Sequence, residues 1–289
     1  MPQSEPVADP TSSNHRRLGV YYTPDSVADP IVRWALPERS GRVLDPSFGG
    51  CSFLRSALAA MDHDPVRGDS IYGVDIDAGA QFHAAQLRAL GVPRSNLREA
   101  DFFSVGPSDL GGLFDAVVGN PPYIRHHWHD GVSRQLAEAS AAREGVAVGG
   151  LADAWAYFVV HSMTFLQRGG RLALLLPISL LHADYSSAVL KHVCANFAST
   201  RLIEVSERLF TDASEGTVLL AAAGFQHESR GLVSLERVKH AADLEGALFA
   251  SSPDLLPADR SNLAEAALTS DERELWHKLI ARRRIRLLG

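Results

Sequence analysis

From about residue 41 onward, short apolar runs alternate with helix-like stretches. Arg42-Val43-Leu44 predicts a first strand, followed by a Gly-rich turn and a helix over about 51–61. Ser70 to Val74 predicts a second strand. The helix after it, about 78–90, has Gly91 as a left-handed cap and Pro93 as a stop. Asn96 to Ala100 predicts a weaker third strand, and Phe114 to Gly119 a strong fourth. Residues of about 152–167 place Trp155, Phe158, Val159 and Met163 on one helical face, stopped by Gly169-Gly170. Arg171 to Leu176 is the most apolar strand, a helix over about 184–196 follows, and two final strands fall near 201–205 and 216–225.

Strands separated by helices imply a parallel sheet covered on both faces. The last two strands have no helix between them, which implies an antiparallel final strand. The expected architecture is therefore α/β, a mostly parallel seven-stranded sheet. Residues 1–17 read as a mobile tail. Residues 126–150 carry neither a strand nor a core-helix pattern and read as an irregular insertion. Near the C-terminus, Thr269 with Glu272 makes a capping box, and Leu275, Trp276, Leu279 and Ile280 form an apolar face. Arg282, Arg283, Arg284 and Arg286 follow, suited to phosphate or to a helix C-terminus.

Composition narrows the function classes. The 289 residues are 46% hydrophobic and 21% charged, an ordinary globular balance. A net charge of −6 excludes coating nucleic acid by charge alone, so any DNA contact needs a local basic patch or a partner. Two cysteines, Cys51 and Cys194, exclude a disulfide framework and a Cys-rich zinc site. The polar N-terminus is unlike a signal peptide, and the apolar stretch Leu172 to Leu181 is half a membrane span and contains Pro177. A cytoplasmic protein with no membrane partner is expected.

In an open parallel sheet, ligands bind beyond the carboxyl ends of the strands, and four such tips are chemically unusual. The first reads Asp45-Pro46-Ser47-Phe48-Gly49-Gly50-Cys51, which is neither a dinucleotide fingerprint nor a P-loop. An acidic residue beside bare glycine backbone suits a ligand with an ammonium or sulfonium group; a plain strand-to-helix turn is the other reading. The second tip, Gly73-Val74-Asp75-Ile76-Asp77, offers Asp75 to ribose hydroxyls, with Asp77 as a helix N-cap. The third, Ala100-Asp101-Phe102-Phe103, offers a carboxylate to an adenine amino group and an aromatic to its face, while Phe103 reads as core.

The fourth tip, Gly119-Asn120-Pro121-Pro122-Tyr123, is the most specific. Two consecutive prolines remove two N–H donors and hold the backbone extended. The result is a stiff ledge of acceptors beside a flat ring, suited to a planar ligand bearing an NH2 group.

With these residues in place, the chain resembles the gamma class of S-adenosylmethionine-dependent adenine-N6 DNA methyltransferases of restriction–modification systems. The resemblance runs over about residues 18–240, from Tyr22-Thr23-Pro24 through the turn at Asp45 to Leu54, Asp75, Asp101-Phe102 and Asn120 to Tyr123, to Phe210. It implies a class I methyltransferase fold of Rossmann-like type, with S-adenosyl-L-methionine as cofactor and DNA as partner. Tyr22, Thr23, Asp45, Pro46, Gly49, Asp75, Ile76, Asp101, Phe102 and Asn120 would hold the cofactor. Asn120, Pro121, Pro122 and Tyr123 would be catalytic, with Tyr123 and Phe210 on the target adenine. Pro30 is a departure and should kink or shorten the first helix. Residues 241–289 would form a helical extension leading into a recognition region that is truncated or supplied by a separate specificity subunit.

Cys51 and Cys194 read as structural. His126, His127 and His129 lack metal-ligand spacing, so no metal is expected. Arg125 and Arg134 are candidate phosphate contacts. A glutamine side chain or an rRNA base also presents NH2 to such a ledge, so that substrate class stays open.

Overall fold

The computed structural model describes residues 23–123, 131–149, 152–210, 216–251 and 255–258, and single positions at 263, 268 and 278. In chain order, α1 (Asp25–Ala35) precedes β1 (Val43–Asp45), α2 (Ser52–Ala60), β2 (Ile71–Asp75), α3 (Ala80–Ala89), β3 (Leu97–Glu99) and β4 (Phe114–Gly119). Next come α4 (Gly131–Arg143), α5 (Ala154–Met163), β5 (Leu166–Pro177), α6 (Ser186–Asn196), β6 (Phe197–Val205) and β7 (Thr217–Phe225). The described elements end with β8 (Leu232–Val238), α7 (Leu244–Phe249) and β9 (Leu255–Pro257).

The strands form one sheet in the order β3-β2-β1-β4-β5-β7-β6-β8-β9. β1 to β5 pair in parallel, and β7 runs antiparallel between β5 and β6. The antiparallel strand is therefore internal. The sheet also exceeds the expected seven strands, because β8 adds in parallel to β6 and β9 closes that edge antiparallel. Beyond residue 240 the described chain thus contributes a strand as well as α7.

Alternation along the central strands sorts the core onto two faces. Leu44, Val117, Leu172, Leu174 and Leu176 pack with α4, α5 and α6. Val43, Ala116, Val118, Ala173 and Leu175 pack with α1, α2, α3 and α7. Fully burying each Leu or Val contributes about 1.5–3 kcal/mol, and all five residues from Leu172 to Leu176 are inaccessible to solvent.

Several local expectations change. α1 runs through Pro30 without ending there. α5 is buried at all ten positions, not on one face. Its tight quarters between the sheet, α4 and α6 leave no polar side. Gly169-Gly170 does not stop that helix; it lies in an irregularity of β5, where the register jumps from Phe114↔Leu166 to Ala116↔Arg171. Asp77 is not the cap of α3, whose N-cap is Gly79; Asp77 accepts the Gly79 N–H at 2.9 Å in the preceding turn. Within the supposed irregular insertion, residues 131–143 form α4. Its buried face is Ser133, Ala137, Ser140 and Ala141, residues too small to give an apolar signal. The tail, the His126 to His129 cluster and the C-terminal capping box and arginines lie outside the described residues.

The small-residue face of α4 yields a prediction. Ala137→Leu should overpack the contact and lower the unfolding free energy by about 1–3 kcal/mol. Ala139→Leu, on the exposed face, should change it by less than about 0.5 kcal/mol. Urea denaturation of both variants measures the difference.

Candidate functional site

The strand order reverses between β1 and β4, and the open crevice of such a sheet lies there. The tip of β1 is Asp45, and β4 runs straight into Asn120. The two tips meet closely: a Cβ at Gly119 would sit 2.8 Å from Asp45 Oδ1 and 3.2 Å from Pro46. Glycine is required there by proximity.

Hydrogen bonds lock the neighbouring tips together. Asp45 Oδ1 accepts the Ser47 N–H at 3.0 Å. Asp75, ending β2, accepts the Gly49 N–H and the Asp77 N–H, each at 2.8 Å. The Ser47 hydroxyl donates to the Asn120 carbonyl at 3.2 Å, fastening the Gly-rich turn to the proline ledge. Asn120 Nδ2 donates to Thr23 Oγ1 at 3.4 Å, bringing in the segment before α1. Arg55 on α2 donates to the Gly50 carbonyl and pairs with Asp25 at 2.8 Å, tying the same turn to α1. A further close fit lies at Gly73, where a Cβ would be 2.6 Å from the Phe48 ring.

The electrostatics are unusual. Burial pushes the Asp45 carboxyl up to about 8, against a partial offset from the Ser47 N–H. Burial pushes Asp75 up to about 6, offset by the N–H groups of Asp77 and Gly49. A buried carboxyl, Asp45, and a half-buried one, Asp75, thus lie at adjacent strand tips, and the Asp75 charge adds to the cost of ionising Asp45. Beside them Ile76 is 49% exposed, an apolar surface at the mouth of the crevice.

Asp101 caps the Phe102–Ser104 turn by accepting the Phe103 N–H at 3.0 Å. Phe102 is 3% exposed and stacks on Phe158 and Phe165, at 5.4 and 5.1 Å between centroids. Its ring belongs to the core beneath the third tip, and Phe103 is buried with it. Tyr123 and Phe210 meet edge to face at 6.4 Å. Phe210 is 4% exposed and packs in the core. Arg134 lies on α4, paired with Glu138 at 2.9 Å. Tyr22 and Arg125 lie outside the described residues.

Cys51 adopts φ 65° at the N-cap of α2, a left-handed conformation that disfavours a side chain. Burial raises its thiol to about 12 and that of Cys194 to about 11, so neither forms a ready thiolate. Among the described residues no cluster of three His, Cys, Asp or Glu could hold a metal ion. Nor is any helix there long and apolar enough to cross a membrane.

The fold matches a class I S-adenosylmethionine-dependent methyltransferase from Listeria monocytogenes with a TM-score of 0.60 at 19% identity, covering 78% of this chain and 68% of that one. It matches the DrdV–DNA complex with a TM-score of 0.67 at 13% identity, covering 91% of this chain and 32% of that one. The fold is therefore that of class I methyltransferases, whose methyl donor is S-adenosyl-L-methionine. The N-6 DNA Methylase family model matches residues 8–233, and the chain belongs to that family. Among curated relatives, Type II methyltransferase M.AccI of Acinetobacter calcoaceticus is 23% identical over 216 residues, 73% of this chain. The match spans only 38% of that relative's length.

The residues present fit the methyl donor. Asp45 and Asp75 together suit a cationic ligand that restores their charge, and exposed Ile76 suits the face of a purine. His161, discussed below, was not singled out from the sequence; its only signal there is a lone imidazole within the apolar run Ala154 to Met163.

The raised carboxyl of Asp45 sets a pH dependence for the ligand-free protein. Below about pH 4 the group is neutral whether folded or unfolded. As pH rises from about 4 to about 8 the unfolded chain ionises it and the folded chain resists, so its contribution to stability is lost across that window. Asp45→Asn keeps an acceptor for Ser47 and removes this titration. Urea denaturation at about pH 5 and pH 8 should show wild type losing stability relative to Asp45→Asn; a constant difference would contradict the raised carboxyl.

Proposed function

We propose that the chain is the catalytic part of a site-specific DNA methyltransferase that transfers a methyl group to N6 of adenine within a restriction–modification system. The observation that carries this reading is the junction of the Asn120-Pro121-Pro122-Tyr123 ledge with the Gly-rich turn through the Ser47–Asn120 hydrogen bond. It sets an acceptor ledge for an amino group beside a site for a cationic methyl donor. Family membership and the M.AccI relationship support DNA as the partner.

In this reading Asp75 holds the ribose hydroxyls, Asp101 the adenine amino group, and Asp45 with Gly49 the charged end of the cofactor. Thr23, Pro46 and Ile76 complete that pocket, with Tyr22 before them in the chain. When bound, the cofactor supplies an electrophilic methyl group. The N6 nitrogen of adenine is a poor nucleophile because its lone pair is conjugated with the ring. Asn120 and the Pro121 carbonyl would accept hydrogen bonds from its two N–H groups, favour a pyramidal nitrogen and orient its lone pair toward the methyl group, the one surplus proton on the methylated nitrogen then passing to solvent. Pro122 keeps the ledge rigid. The base must leave the duplex to reach this site. Tyr123 and Phe210 then restore lost stacking, about 1–3 kcal/mol per aromatic contact. Arg125 and Arg134 are assigned to the DNA backbone. With a net charge of −6, sequence recognition falls to a further region or to a separate specificity subunit.

Asn120→Ala and Tyr123→Ala should cut methyl transfer to DNA by about 10²-fold or more, and Tyr123→Ala, which lies outside the cofactor set, should leave S-adenosylhomocysteine affinity within about threefold. Asp75→Ala should instead weaken cofactor binding first. Calorimetry and labelled-methyl transfer separate the two. Equal loss of cofactor affinity in all three variants would overturn the assignment of the ledge to the acceptor base.

A further inference from the structure

The imidazole of His161 on α5 is 4% exposed, enclosed by Phe102, Phe103 and Phe165. Its Nε2 lies 3.1 Å from two carbonyl oxygens, those of Phe102 and Val105. Two acceptors at one nitrogen require that nitrogen to carry the proton, so Nε2–H is shared between them. Nδ1 is then the acceptor, and the Ser140 hydroxyl on α4 donates to it at 2.7 Å. Burial pushes the imidazole down to about 4 against the opposing hydrogen bonds to the Val105 and Phe102 carbonyls, so the ring stays neutral at ordinary pH.

Three pieces of chain meet at this ring. The carbonyls belong to the turn whose cap is Asp101, and Asp101 Oδ1 is fixed by that turn through the Phe103 N–H. The turn is itself continuous with the β2 tip, because the Ala100 N–H donates to the Asp75 carbonyl at 2.9 Å. Ser140 belongs to the helix that follows the Asn-Pro-Pro-Tyr ledge in the chain. A hydrophobic side chain of similar size could fill the aromatic enclosure, but it would leave two buried carbonyls and one hydroxyl with this partner removed.

We propose that His161 is a positioning residue for the cofactor's adenine end: through its two ring nitrogens it fixes the Asp101 turn to α4 and so sets the direction of the Asp101 carboxylate. The inference rests on Asp101 accepting the adenine amino group. That contact discriminates adenosine from inosine, whose 6-oxo group would face the carboxylate as a second acceptor.

The test is calorimetric binding of S-adenosylhomocysteine and of its inosine counterpart to the full chain. Wild type should prefer the adenosine form by about tenfold or more, the scale of one hydrogen bond to a charged group. His161→Leu should reduce the preference to within about threefold. His161→Gln, whose amide can still donate to the carbonyls, should retain most of it. A folded His161→Leu protein with the wild-type preference would overturn the proposal. If His161→Leu does not fold, Ser140→Ala replaces it: a reduced preference supports the role, and an unchanged one overturns it. Asp101→Ala separates the two levels. Loss of preference there with retention in His161→Leu refutes the positioning role alone; retention in Asp101→Ala refutes the underlying assignment of Asp101, and the proposal with it.

Discussion

The site depends on one carboxylate. Asp75 holds the N–H groups of Gly49 and Asp77, so the end of β2 determines the shape of the turn after β1. That turn in turn holds the proline ledge through the Ser47 hydroxyl and bonds Asp45 through the Ser47 N–H. Removing the Asp75 acceptor would leave two backbone donors at a strand tip without their partner. The cost of the arrangement is electrostatic. Asp75 lies half-buried near the buried Asp45, and its charge makes Asp45 harder to ionise. In the proposed reading, a cofactor bearing positive charge near Asp45 would offset part of this cost.

The same constraint separates two jobs along the crevice. On the β2 and β3 side, Asp75 and the Asp101 turn present fixed acceptors. On the β4 side, two prolines hold an extended ledge without needing hydrogen-bond partners for their nitrogens. There Tyr123 meets Phe210 edge to face, and Phe210 is buried in the core.

Much of this was legible in the sequence where a residue's own chemistry fixes its place. β1 to β4 follow from short apolar runs, and Asp45, Asp75, Asp101 and Asn120 stand at their ends because the runs stop there. Gly91, at φ 98°, ends α3 as its sequence suggests. What was not legible depended on packing. α4 buries Ser and Ala, so its inner face carries no apolar periodicity. α5 is apolar all round, so periodicity could not show that it is enclosed. β8 and β9 extend the sheet through pairing partners that no local pattern specifies. The sequence offers Phe102 to a ligand's ring and Phe103 to the core, and the stack with Phe158 and Phe165 places the Phe102 ring in the core as well. The ring partners of His161 are distant in the chain: two carbonyls more than fifty residues away and the Ser140 hydroxyl on α4.

The central claim is that the ledge presents an exocyclic amine of a DNA base to the methyl donor. The most direct test is to incubate the protein with deuterium-labelled S-adenosylmethionine and unmethylated bacterial DNA, with RNA and cell protein as rival acceptors. Digestion and mass spectrometry then identify the labelled product. The account predicts label in N6-methyldeoxyadenosine. Label in RNA, in a glutamine side chain or on a cytosine would contradict it.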